Sequence, residues 1–462
     1  MIHSATVSPK YTLLARRKSL FWRIHFWAAL IASPFMLVAL VTGILYIFTP
    51  QIEAVLYDHL DHVVPVGAMR PLDDAVAAAQ RTVPAGWVVQ SVLPAFGANE
   101  AVKVNFAPAA EKKSEHDGHN HAPVKAAPAA TPSVGLPAQA IVVSVNPYTA
   151  DVIGSMAKQD RFGNWAKKLH SRLLQNDSWR WMIELAASWL MVMLLTGIYL
   201  WWPRGVQPAL PQSSAKGRNA WKQWHGFIGV VLAVMGLVIV TTGLTWSKYA
   251  GDQIRTLRDT IGQAPPKVPN NLQSAASAAT SPLTWQATWD SARRQAPDVA
   301  MQLTPPRGVQ GIWRVAAADR GQPDKKFDLI LDAYSGQALF YSGWDKQTVF
   351  SKATAIGIPF HRGEFGWWNQ ALLLLFGVGV LFSLVSGWVM FFKRRQAGSL
   401  GLPRLLPGAW KSASIGTWLS AAVMAVAMPL LALSAAVVVL LEVALHRPWR
   451  RVPHALRSAR HG

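Results

Sequence analysis

A chain of 462 residues, 51% hydrophobic and only 15% charged, is too long for one soluble domain and too apolar for two ordinary ones. The absence of cysteine excludes disulfides, thiolate metal sites, iron–sulfur clusters and covalently attached c-type haem, so any redox centre must be held by His, Met or non-covalent contacts. The net charge of +21 comes with no nucleic-acid recognition motif, and its basic residues flank apolar runs, so they read as topology signals and contacts to anionic lipid, not as a nucleic-acid surface.

Residues 24–48, 185–202, 225–246 and 365–392 contain no Asp, Glu, Lys or Arg. Each suits a hydrocarbon core of about 30 Å, which takes about 20 helical residues. Trp22, Trp27, Trp179, Trp181, Trp201, Trp202, Trp221, Trp246, Trp367 and Trp368 sit at the ends of such runs, as interfacial belts do. The first run is too long for a cleavable signal and lacks a small-residue cleavage site, so it reads as an anchored span. A fifth uncharged run, 412–441, would make a helix of about 45 Å, long for one span and short for two. Pro429 in its middle permits a kink or a tight hairpin.

The positive-inside rule orients these runs. Three purely basic segments, around Lys10–Arg23, Arg204–Lys222 and Lys393–Lys411, go to the cytoplasm. Four spans satisfy all three, and the two long segments of mixed charge between them lie outside. The expected organisation is a cytoplasmic N-terminus with span one (1–49), an outer domain (50–178) and span two (179–203). A cytoplasmic loop (204–220), span three (221–246), a second outer domain (247–364) and span four (365–392) follow. The chain then has a loop (393–411), a fifth span or short hairpin (412–444) and a basic tail (445–462). Five spans are expected, although the arginines of the tail would then fall outside.

The outer segments read as small α+β domains. The first has a predicted helix at 72–80, strands near 87–89, 101–106 and 141–145, and a turn within N-P-Y-T-A-D-V-I-G. The second has a helix at 283–294, strands near 312–316 and 327–331, and a turn within D-A-Y-S-G-Q-A-L-F. Residues 107–138, rich in Ala, Pro and Lys, read as a flexible insertion.

The two halves repeat. His25 precedes Thr42-Gly43 by 17 residues, and His225 precedes Thr242-Gly243 by 17. His170 precedes Gly197 of T-G-I-Y-L-W-W by 27, and His361 precedes Gly387 of S-G-W-V-M-F-F by 26. The fold class is therefore an internally duplicated α-helical membrane protein with two outer α+β domains. His25 and His225 fall at one depth near the inner face, and His170 and His361 near the outer face. Two axial imidazoles on one iron are what a low-spin b-type haem requires, so two non-covalent haems fit the pattern. The pairs at Gly43, Gly197, Gly243 and Gly387 lie level with these histidines, where a glycine lets a flat macrocycle approach the backbone. The competing readings are structural: Thr-Gly pairs serve as helix-packing positions, and a lone interfacial His is often a satisfied polar residue.

Other features carry less. His116, His119 and His121 in H-D-G-H-N-H form a possible transition-metal tract or a solvated one. Glu184, one turn into span two, either pairs with Arg180, handles protons or snorkels to the interface. His59 and His62 are assigned no role.

The segments W-R-I-H-F-W, K-L-H-S-R-L-L, L-T-G-I-Y-L-W-W-P-R, W-H-G-F-I-G, T-T-G-L-T-W and F-H-R-G-E-F-G-W-W-N-Q, in this order over roughly residues 15–395, resemble the PepSY-associated transmembrane family of bacterial inner membranes. The resemblance implies two periplasmic PepSY-like modules. It also implies a dihaem oxidoreductase that reduces ferric siderophores in iron acquisition, with haem ligands at His25, His170, His225 and His361. The electron donor, cytoplasmic or in the membrane, is left open. Two other readings stand beside it: a siderophore or metal permease component, and a PepSY-type sensor or protease-regulating module. The nearly apolar midplanes of the first four spans disfavour the permease. The four paired histidines are left unexplained by the sensor.

Overall fold

The structure is a computed structural model that describes residues 12–109, 140–202, 210–275, 281–319, 321–397, 399 and 401–446. It begins with α1 (Leu13–Ile47), α2 (Thr49–Leu56), α3 (Asp58–Asp61) and α4 (Leu72–Gln80), followed by β1 (Trp87–Leu93), β2 (Val102–Pro108), β3 (Ile141–Val145) and β4 (Val152–Ala157). Then come α5 (Phe162–Arg172), α6 (Trp181–Trp201), α7 (Gly217–Val231), α8 (Ala233–Leu244), α9 (Tyr249–Thr260) and α10 (Trp285–Gln295). The strands β5 (Met301–Thr304), β6 (Ile312–Ala317), β7 (Asp328–Asp332) and β8 (Ala338–Ser342) precede α11 (Val349–Arg362), α12 (Trp367–Arg394), α13 (Ile415–Ala427) and α14 (Pro429–His446). Two compact units result: a helical one from Met1–Leu40, Asn176–Leu257 and Phe376–Gly462, and one containing the strands, from Val41–Gln175 and Arg258–Leu375.

Among the described residues, α1, the stretch Asp177–Trp201 containing α6, and α12 are long and apolar enough to cross a membrane. The pair α7 and α8 makes a fourth span if taken together, bent by 57°. The sequence reads this region as one uninterrupted span. The break falls at Leu232, whose φ of −88° and ψ of −5° lie between the α and β regions. Its side chain seats against Gly379 of α12, where an added Cβ would collide with Leu232 Cδ1.

The fifth apolar run is two helices, not one. Met428 leaves the helical region (φ −130°, ψ 82°) immediately before Pro429, as the proline ring demands of the residue preceding it. At 13 residues α13 rises about 20 Å, short of a hydrocarbon core of about 30 Å. The following helix, α14, is pinned to α1 by charge. Arg23 Nε donates to Glu442 Oε1 at 2.5 Å and its Nη2 to Oε2 at 3.0 Å, and Trp27 Nε1 donates to the same carboxylate. Arg23 and Glu442 are both buried. Trp189 Nε1 of α6 also donates to Ser434 of α14 at 3.0 Å. Around these contacts Ala28, Ala32, Met36, Ala186, Met193 and Val240 form the core of the helical unit.

Among the described residues, the second unit holds one antiparallel sheet of eight strands in the order β4-β3-β2-β1-β5-β6-β7-β8. Two separate α+β domains are expected from the sequence; instead β1 pairs with β5 at Val92↔Leu303, and the two meanders share a core. Each meander alone would expose a strand edge beside an apolar face, and pairing the two edges removes that liability. Val92, Val104, Phe106, Leu303, Val315 and Leu329 fill the common core. The helices α4 and α10 cap one another: Asp73 accepts from the backbone of Trp285 and Gln286 at 2.9 and 3.0 Å, and Gln286 Oε1 accepts from Leu72 N at 2.9 Å. The turns after β3 and β7 are fastened alike, Tyr148 Oη to Ala98 O at 2.6 Å and Tyr334 Oη to Val309 O at 2.7 Å.

Candidate functional site

In the helical unit, His25 of α1 and His225 of α7 face each other with ring centres 6.3 Å apart and ring planes at 88°. His25 Nδ1 lies 2.9 Å from Thr196 Oγ1 of α6, and His225 Nδ1 lies 2.8 Å from Ser386 Oγ of α12. Thr196 Oγ1 is also 2.7 Å from the Val192 carbonyl, and Ser386 Oγ is 3.0 Å from the Ser383 carbonyl. Two oxygens this close need a proton between them, and the hydroxyl has only one. The hydroxyls therefore donate to the carbonyls and accept from Nδ1–H. The remaining nitrogen, Nε2, carries the lone pair of each neutral ring, the form in which imidazole binds a metal.

The small residues beside these hydroxyls have a defined part. A Cβ on Gly197 would stand 3.4 Å from His25 Cε1, and one on Gly387 would stand 3.8 Å from His225 Cε1. The sequence reading gives these glycines to an approaching macrocycle; the space they leave is taken first by the imidazole edges. Arg394, at the end of α12, lies over the rings of Trp22 (4.9 Å) and Phe26 (5.5 Å), bringing a positive charge onto the stretch of α1 that holds His25.

In the other unit, His170 lies in the last turn of α5 and His361 in the last turn of α11. Both helices are amphipathic and precede the spans, so the two histidines lie just before spans two and four, as the sequence places them, on short helices that it does not predict. Thr42 Oγ1 lies 3.1 Å from His170 Nδ1, and a Cβ on Gly43 would stand 3.2 Å from His170 Cε1. The Tyr46 ring stacks on His170, with centres 6.5 Å apart and planes at 13°. Arg362, the residue after His361, donates to Tyr46 Oη at 3.1 Å. His170 and the end of α11 thus meet the same tyrosine. Each helix ends in a left-handed residue, Gly363 in α11 and Leu173 in α5; the leucine is strained there and glycine is not. In the helical unit, Thr242 donates to the Val238 carbonyl at 2.8 Å within α8, one residue before Gly243.

Other candidates resolve differently. Glu184 is buried and accepts from the backbone of Tyr249 and Ala250 at 2.9 and 2.8 Å, capping the start of α9. It neither snorkels nor pairs with Arg180, whose guanidinium reaches Asp177 and the Trp246 carbonyl. His62 pairs with Asp58 at 2.8 Å. His116, His119 and His121 lie outside the described residues, and among the described ones no group of three or more His, Asp or Glu is set to hold a metal ion. Sequence reasoning missed Thr42, Thr196 and Ser386 as histidine partners. The signal was the small hydroxyl residue that precedes each glycine.

Comparison with protein families returns the PepSY-associated TM region over residues 22–394, most of the chain. The chain belongs to this family. The match spans all four histidines and the hydroxyl–glycine pairs, and ends at Arg394, so α13, α14 and Glu442 lie beyond it. Comparison with curated proteins gave no match.

Proposed function

We propose that this PepSY-associated membrane protein carries electrons through two b-type haems and reduces ferric siderophores or similar Fe(III) chelates outside the cytoplasm. The observation that supports it most is the pair His25 and His225. A metal–imidazole bond of about 2 Å on each side, plus about 1 Å from nitrogen to ring centre, asks for about 6 Å between centres; the rings stand at 6.3 Å. The hydroxyl bonds leave one nitrogen of each free to ligate, and no cysteine competes. The residues present fit the group.

A haem supplies a one-electron Fe(III)/Fe(II) couple whose potential is set by its axial ligands and their hydrogen bonds. His25 and His225 would hold the first, with Arg394 providing positive charge for its carboxylates. His170 and His361 would hold the second. An electron from a cytoplasmic or membrane donor would enter on the His25 side and leave on the His361 side, in an inner membrane with the sheet in the periplasm. The arrangement then reflects an internal duplication, each half contributing one histidine per site and one PepSY-like meander. The chelate would dock at the open cavity of about 490 Å³ lined by Gln51, Asp319, Glu364, Trp367 and Gln370, next to the last turn of α11. One electron converts the bound substrate Fe(III) to Fe(II), which hard oxygen donors hold far less tightly, and the metal leaves the chelate.

The test is spectroscopic and then kinetic. The protein, purified from membranes of haem-replete cells, should show oxidised and dithionite-reduced b-type spectra, and the reduced form should be reoxidised by a ferric trihydroxamate. A colourless preparation sinks the reading. A haem-loaded protein inert to every ferric chelate tried would leave electron transfer standing and remove the substrate.

A further inference from the structure

The hydroxyls of Thr196 and Ser386 do more than fill polar space. Each joins a carbonyl of its own helix to the Nδ1 of a histidine on another helix: Val192 O, Thr196 Oγ1 and His25 on one side, Ser383 O, Ser386 Oγ and His225 on the other. Thr196 and Ser386 are both buried, so no water competes for the proton. A hydroxyl sits on each ring where many metal-bound histidines have a carboxylate. It orients the imidazole without adding negative charge. Because the two bonds originate on different helices, each sets the rotation of its own ring, and the rings end up at 88°.

We propose that Thr196 and Ser386 are positioning residues: they present Nε2 of His25 and His225 as neutral ligands and hold the two imidazole planes crossed. This rests on the haem reading above. Crossed axial planes leave two iron d-orbitals nearly equal in energy. The low-spin ferric state then gives a strongly anisotropic electron paramagnetic resonance signal with one large g value. Parallel planes split those orbitals and give a rhombic signal. A neutral hydroxyl partner, unlike a carboxylate, also keeps electron density off the ligand and the potential up.

The experiment uses the full chain purified with its haem, recorded as wild type and as His361→Ala, which should retain only the His25–His225 site. Both should show the large-g signal. Thr196→Val keeps the shape and removes the hydroxyl, and Ser386→Ala does the same on the other side. The double variant should lose about 10- to 100-fold in haem affinity. In the haem that remains, the large-g signal should give way to rhombic or mixed signals. Thr196→Ser with Ser386→Thr, which returns both hydroxyls, should restore it. A wild-type and His361→Ala protein with only rhombic signals overturns the crossed-plane assignment. A double variant with wild-type spectrum and affinity overturns the positioning role. If the double variant does not fold, the hydroxyl exchange decides: restored signal supports the proposal, altered signal refutes it. Absence of haem from wild type is a different outcome and removes the haem reading itself.

Discussion

The imidazoles of His25 and His225, 200 positions apart in the chain, stand 6.3 Å apart with their planes nearly perpendicular. Their separation suits one shared metal. Their Nδ1 atoms are both committed to hydroxyls. On the proposed dihaem function, His225→Ala should remove one of two haems and leave the other, as should His25→Ala. His170→Ala should remove the second. A pyridine haemochrome assay against protein concentration checks this. Loss of both haems from every single variant, with the protein still folded, would argue against two independent sites.

Removing the Glu442 carboxylate should be costly. Glu442→Ala removes the carboxylate that Arg23 and Trp27 Nε1 share and leaves Arg23 only the Pro403 carbonyl. Breaking a buried ion pair on one side costs about 3–5 kcal/mol, whereas replacing both members with apolar residues is often neutral. The single variant should unfold at clearly lower temperature in detergent, and Arg23→Met with Glu442→Leu should recover part of the loss, the Trp27 N–H and the Pro403 carbonyl staying unpaired. Equal stability of the single variant and wild type would mean that the pair does not hold α14 against α1.

Glu184 offers a second buried carboxylate with a different task. It accepts the two N–H groups that open α9, where negative charge also meets the favourable end of the helix dipole. Glu184→Ala should cost about 1–3 kcal/mol, the expense of unsatisfied buried donors. Glu184→Gln, which keeps one acceptor, should cost less. Hydrogen exchange at the start of α9 reports the loss locally. Unchanged protection in Glu184→Ala would refute the capping role.

Acid should weaken the unit that contains the sheet through Asp61. Burial pushes its pKa up, but hydrogen bonds and charge from Arg161 and Lys103, at 2.5 and 3.0 Å, outweigh this and hold it below the ordinary carboxylate value. A depressed folded pKa means that the stabilisation is complete above the unfolded value, about 3.9, and is lost as pH falls through the folded value. Asp61→Asn should flatten stability against pH below about pH 4 and leave a constant deficit above it. An unfolding series from pH 2 to 7 reads this. Parallel profiles for variant and wild type would exclude Asp61 as the titrating group.

Much of the fold was legible locally. Leu72–Gln80 and Ile141–Val145 have the bounds that the sequence predicts, because an amphipathic helix and a short β-branched run announce themselves through near neighbours. The short strand β5 and the helices α5 and α11 were not predicted. Met301–Thr304 is only four residues long. The helices α5 and α11 lie next to apolar spans that dominate a hydropathy reading. The hydroxyl partners were half visible: the repeated Thr-Gly and Ser-Gly pairs marked the positions, but a side-chain bond between distant helices has no sequence period.

By itself, the sequence determined the membrane class, the four apolar runs, the spacing of the four histidines and the absence of thiol chemistry. Those properties depend on composition and on distance along the chain. Only the tertiary structure decided that His25 meets His225, that Thr196 and Ser386 hold their rings, that the two meanders join through Val92 and Leu303, and that the fifth run breaks at Met428. Each of the first three depends on which faces and edges of separate elements come together. The last depends on a backbone choice that Pro429 forces but hydropathy does not record.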